Sequence, residues 1–154
     1  MHSMLRTLFC LTFFGASIHL SAAESTFMRA VLFSPVELQL IRNDLPVVGV
    51  EVRREVSWRG AIVEKAITDT EGVVTFDALR RFSFTSFLPM ELVVPQYISA
   101  VIDGKELELW LNTKRDGALN AELGGMPLKL RCNLSDELSL YEAYGSLLSS
   151  RCHW

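Results

Sequence analysis

Three histidines occur in the sequence, and two of them, His2 and His19, lie in an N-terminal stretch that reads as a leader. A Ser-His-Asp or Cys-His arrangement needs an imidazole held rigidly by a third group. His153, one residue from the C-terminus, is a poor platform for that. Cys132, Cys152 and His153 supply three possible zinc ligands, but cysteines in a leader-bearing chain are better explained by pairing with each other. Glu106 and Glu108 share one face of a strand, and Asp69 and Glu71 share a turn. A glycosidase pair needs two acids across a cleft with separated pKa values, whereas acids at i and i+2 of a strand describe a solvated face. Asp69-Thr70-Glu71-Gly72 lacks the oxygen count and spacing of a calcium loop. Gly124-Gly125 lacks the strand-to-helix context of a phosphate cradle. No cofactor is implied. Arg80-Arg81-Phe82-Ser83-Phe84 interleaves basic and aromatic residues, but the chain carries a net charge of −3. Nucleic-acid binders need a basic patch, so this run reads as core aromatics beside a solvated arginine pair.

Residues 1–23 have the layout of a secretory signal peptide. Arg6 is the only charge, Leu8 to Phe14 is apolar apart from Thr12, and Ser21-Ala22-Ala23 places small residues at −3 and −1 before Glu24. The apolar run is shorter than the ~20 residues that span a bilayer, and Gly15, Ser17 and His19 break it. Bulky Phe9 before Cys10 excludes a lipoprotein site. The expected product is a single domain, 24–154, periplasmic or secreted and free of the membrane. Losing Arg6 makes it one unit more acidic than the whole chain. With Cys10 removed, Cys132 and Cys152 form an even pair in an oxidising compartment, the pattern of a disulfide.

The mature chain alternates in the manner of short strands. Val36, Leu38 and Leu40 alternate with Glu37 and Gln39, and Val48, Val50 and Val52 with Gly49, Glu51 and Arg53. A third strand spans Ile62 to Thr68, and the Asp69–Gly72 turn leads to Val74 and Phe76. Asp103-Gly104 is a favoured two-residue type I′ loop. Unbroken pairing outward from it sets Ile98 against Leu109 and Tyr97 against Trp110. That register puts Ile98, Ala100, Leu107 and Leu109 in the core, and Tyr97, Trp110, Glu106 and Glu108 on the other face. Leu128, Leu130 and Cys132 make a further strand. Ser135-Asp136-Glu137 has the form of a helix N-cap, with Gly145 limiting any helix. The tail to Trp154 reads as a final strand stapled by Cys152.

About seven strands with turns every eight to twelve residues describe an all-β sandwich. Leu45-Pro46-Val47-Val48-Gly49-Val50-Glu51-Val52 followed by Ile67-Thr68-Asp69-Thr70-Glu71-Gly72-Val73-Val74-Thr75-Phe76 resembles the carboxypeptidase-regulatory-like, or transthyretin-like, domain. That likeness covers about a third of the mature chain and implies a Greek-key sandwich with a short C-terminal extension. The chain departs from the family pattern at Asn43-Asp44 and at Val50. The second half is similar to a group of small exported proteobacterial proteins. The carriers are Gln96-Tyr97-Ile98, Gly104-Lys105, Leu109-Trp110, Lys114, Asn120-Ala121-Glu122-Leu123 and Cys132. This second resemblance implies an exported setting and no activity.

The expected role is a non-enzymatic binding module, monomeric by default, with a protein partner. Its sharpest version is a periplasmic immunity protein that neutralises a secreted toxin. A carbohydrate-binding or weakly hydrolytic module is the alternative. Tyr97 and Trp110, rimmed by Glu106 and Glu108, are the candidate partner contact, unless another segment covers that face and buries them. Processing is directly measurable. The intact mass of the exported protein should correspond to a chain beginning at Glu24 and lighter by two hydrogens. A full-length membrane-bound species, or two alkylatable thiols without reductant, would overturn both expectations.

Overall fold

The structure is a computed structural model describing residues 29–83, 91–142 and 144–154. The expected leader and residues 84–90 lie outside the described residues. The described chain is all-β. It runs β1 Arg29–Phe33, β2 Val36–Arg42, β3 Leu45–Pro46, β4 Glu51–Ser57, β5 Ala61–Ile67, β6 Val73–Phe76, β7 Leu79–Phe82, β8 Val94–Ile102, β9 Lys105–Lys114, β10 Leu128–Asn133, β11 Ser139–Tyr141, β12 Leu148–Ser150 and β13 Cys152–His153. The strands are more numerous than the alternation suggests.

A six-stranded sheet has the order β11-β12-β9-β8-β4-β5. A five-stranded one runs β13-β10-β2-β3, with β6 also on β2, and β1 pairs with β7. Their inner faces meet in one core that includes Leu38, Leu40, Val52, Val56, Ile98, Leu109, Trp110 and Leu130. The β2 and β10 strands are parallel, and the long chain between them supplies the crossover such a pair requires.

Turn chemistry follows the residue types. Asp103 and Gly104 both take positive φ, as a type I′ loop demands. Asp69 Oδ1 accepts from the Glu71 and Val73 amides, and Gly72 has φ +71°. A Cβ at Gly72 would stand 2.5 Å from the Leu40 carbonyl oxygen, so no other residue fits there. The helix expected after Ser135 does not form. Asn133 instead closes a turn, accepting the Ser135 amide on Oδ1 and donating from Nδ2 to Asp136, and the chain continues into β11. This local side-chain bonding offers the backbone an alternative to helix.

The β8–β9 hairpin begins in the expected register, with Ile102 opposite Lys105 and Ser99 opposite Glu108. The register then shifts between Ser99 and Ile98, so that Ile98 faces Trp110 and Tyr97 faces Leu111. Leu109 is the extra residue of a β-bulge. Trp110 is therefore in the core, 0 % exposed, and not beside Tyr97. The bulge also turns Asn112 and Lys114 inward. The C-terminal tail takes up the carbonyls at this irregularity. Leu109 O accepts from the Arg151 amide and Ser150 Oγ, and Glu108 O accepts from Arg151 Nε. Between Ser150 and Cys152 the tail crosses from one sheet to the other, and Cys152 pairs with Cys132 there both in the ladder and as a disulfide. Such a bond fits an oxidising, exported environment.

The bulge makes an asymmetric prediction. Trp110→Ala should lower unfolding free energy by ~3–5 kcal/mol, the range for emptying a large buried site. Leu111→Ala, one residue on, should cost under ~1 kcal/mol. Urea midpoints of the two variants that fell equally would refute the register.

Candidate functional site: a sealed charge cluster and the outer face of the large sheet

Once Lys114 points inward it needs a counter-charge. That partner comes from a 3₁₀ turn, Ala121–Leu123, between β9 and β10. Lys114 Nζ lies 2.9 Å from Glu122 Oε2, and both side chains are sealed at 1 % and 0 % exposure. The other carboxylate positions are also occupied. The Ser34 amide and Gln96 Nε2 donate to Oε1, and Ser34 Oγ donates to Oε2. Gln96 donates again to Leu32 O and accepts from Asn112, whose own oxygen takes the Ser146 hydroxyl. The Asn120 amide donates to Ser34 Oγ. Burial alone would push the Glu122 carboxyl up, but the Lys114 charge and the bonds from Lys114, Gln96 and Ser34 outweigh it and hold it below its usual range. For Lys114, burial pulls the ammonium down against the attraction of Glu122.

Arg54 is a second buried cation. It is sandwiched between the Phe33 and Phe76 rings, with its guanidinium carbon 5.2 and 4.9 Å from their centroids. It pairs with Glu64 on β5 and reaches the Ser34 carbonyl. Ser34 thus lies between both charge clusters. These groups are spent on each other. Their geometry locks β1, β4, β8, β9 and the 3₁₀ turn together, and the Lys114–Glu122 pair is sealed from solvent.

The outer face of the six-stranded sheet has a different character. One cross-strand row runs the full width, Val63–Glu55–Tyr97–Leu111–Ser149–Leu140, each residue directly opposite the next. Val63, Leu111 and Leu140 are 49 %, 44 % and 70 % exposed, and Tyr97 is half-buried among them. Acids flank the row. Glu106 accepts from Ser99 Oγ and Glu108 from Ser149 Oγ, while Glu51 is paired with Arg53 and Lys65. Burial, then Glu106, Glu108 and Glu55, raises the Tyr97 phenol, which stays neutral at physiological pH.

Residues 36–137 match a family described as a domain of unknown function, DUF6795. The chain belongs to that family. Comparison with curated proteins and with solved structures finds no significant match. The DUF6795 stretch holds Gln96, Lys114 and Glu122 and most of the outer row, but not Ser34 or the strands β11 to β13.

Tyr97, Glu106 and Glu108 do share a face; Trp110 does not join them, and Leu111 takes its place. The cluster around Lys114 and Glu122 had no periodic signal of its own. The one clue was Leu109-Trp110-Leu111, three apolar residues in succession inside an alternating strand. His153 lies at the surface with Nε2 3.3 Å from Asp136 Oδ2. Cys132 and Cys152 are joined and buried.

A buried ion pair is costly to break and cheap to replace. Lys114→Met and Glu122→Gln should each lower stability by ~3–5 kcal/mol, and the double variant should lose much less than their sum. Because the folded-state pKa of Glu122 lies below its unfolded value, the unfolded chain binds more protons across that window. The stabilisation is therefore present at neutral pH and is lost as pH falls through the acid range. Additive single losses in urea titrations would dismiss the coupling.

Proposed function

We propose that this chain is an exported binding module that engages a protein partner through the outer face of its six-stranded sheet. The observation that carries this reading is the row of exposed Val63, Leu111 and Leu140 with Tyr97 at its centre. Tyr97 and Leu111 form an adjacent apolar pair in the row, bounded by Glu55 and Ser149, and aromatic residues at the middle of an interface carry much of its binding energy.

The rim selects the partner's chemistry. Among the described residues, Glu51, Glu55, Glu106 and Glu108 stand against Arg53 and Lys65 on this face. Two copies packed face to face would set these acids against one another, whereas a partner with a basic rim would be attracted and steered. An immunity protein covering a basic toxin domain is the sharpest form of this reading. It is supported by the leader pattern, the acidic charge and the disulfide. A transthyretin-like topology is the architecture we infer from the motif around Pro46 to Phe76.

A photo-crosslinking residue at Leu111 should capture one discrete protein species in the exporting cell, and the same residue at Lys129 on the opposite sheet should not. With that species purified, Tyr97→Ala or Leu111→Asp should weaken binding by ~2 kcal/mol or more without moving the thermal midpoint. Affinity should also fall as salt rises. Equal crosslinking at both positions, or wild-type affinity in both variants, would overturn the proposal.

A further inference from the structure

The edges of the two sheets approach each other where the chain ends, and the seam between them is an open groove of about 330 Å³. Its walls are Asp136, Glu137, Ser139, Tyr141, Arg151 and His153. They come from the turn before β11, the inner side of β11, the crossing residue of the tail, and β13. The volume lies within the roughly 300–1,000 Å³ of small-ligand sites.

The wall chemistry is specific. Among the described residues, nothing hydrogen-bonds the Glu137 carboxylate, the Ser139 hydroxyl or the Tyr141 hydroxyl. These three groups supply both donors and acceptors. Arg151 is held by the carbonyls of Glu108 and Asp136, and His153 by the Asp136 carboxylate. The fixed side chains thus frame the unspent ones. Aromatic surface adjoins them. Trp154 packs on Tyr141 with ring centroids 4.9 Å apart and on Tyr144 at 6.4 Å, and Tyr144 and Trp154 are both 39 % exposed. Two acids stand against one arginine, with His153 cationic only when protonated, so the walls disfavour an anionic ligand.

We propose that this groove binds a neutral pyranose sugar, as one or two residues of a glycan. Sugar hydroxyls both donate and accept, matching the unspent groups on the wall. The C–H face of the ring suits the half-buried Tyr141 ring in the wall, apolar on its face and polar at its hydroxyl. The site is separate from the partner-binding row. Leu140 and Tyr141 are neighbours on β11 but point to opposite faces of the sheet, so either function can fail without the other.

The test is calorimetric titration of the mature protein with hexasaccharides of β-glucose, α-glucose, β-N-acetylglucosamine and β-xylose. Saturable binding to at least one is expected. Glu137→Gln combined with Ser139→Ala should weaken it about tenfold or more, the loss of at least one good contact, with the thermal midpoint unchanged. Leu111→Asp on the outer face should leave it intact. Absence of heat with all four sugars on folded protein would overturn the assignment. So would binding confined to polyuronic acids, or binding indifferent to the Glu137 and Ser139 changes.

Discussion

The bulge at Leu109 is the constraint on which the rest of this structure depends. A strand has a strict period of two, so one inserted residue exchanges the faces of everything beyond it. Before Leu109, β9 sends Glu106 and Glu108 outward; after it, Trp110, Asn112 and Lys114 point inward and Leu111 outward. The core thereby gains its largest fully buried side chain and an ammonium group together. Each creates a demand. Trp110 needs a lid, which Trp154 supplies edge-on at 6.2 Å. Lys114 needs a carboxylate, which the 3₁₀ turn delivers as Glu122. The bulge also disrupts the ladder, and the tail accepts that cost by donating to Leu109 O and Glu108 O. The disulfide fastens the tail at the next step of the chain.

This explains which parts of the fold were legible in the sequence. The all-β class, the Asp103-Gly104 hairpin, the Asp69–Gly72 turn and the Cys132–Cys152 pair each rest on local chemistry: alternation, positive φ, or the parity of cysteines. The face carried by β9 does not. Its register is inherited from the turn only while pairing is unbroken, and it was lost at one residue. Trp110 was consequently assigned to the wrong side, and Leu111 was missed. The Asn133–Asp136 turn shows a related ambiguity, since residues that cap helices also make turns by bonding their own backbone. Val63 and Leu140 lie far from the hairpin in sequence, and only pairing across six strands brings them into line with Tyr97.

The buried charges invite a catalytic interpretation that their bonding does not support. A general acid or base must reach a substrate proton, yet Glu122 spends both oxygens on Ser34, Gln96 and Lys114. A polar network satisfied to this degree specifies one arrangement of its surroundings, because any shift would strand a desolvated group. Four separate elements meet at it, and apolar packing alone would let them slide. The ion pair is therefore better understood as a register pin than as machinery.

If the interior is occupied with specifying the fold, function falls to the surfaces the fold leaves open. The bulge shapes these too. By withdrawing Trp110 it leaves an outer face in which Leu111 completes a row with Val63, Tyr97 and Leu140. Flat sheets with exposed apolar rows are an aggregation hazard, and the acids along this row counter it by setting like charge against like in any self-association. One backbone irregularity thus builds the core, calls for the tail that closes it, and determines which side chains remain outside.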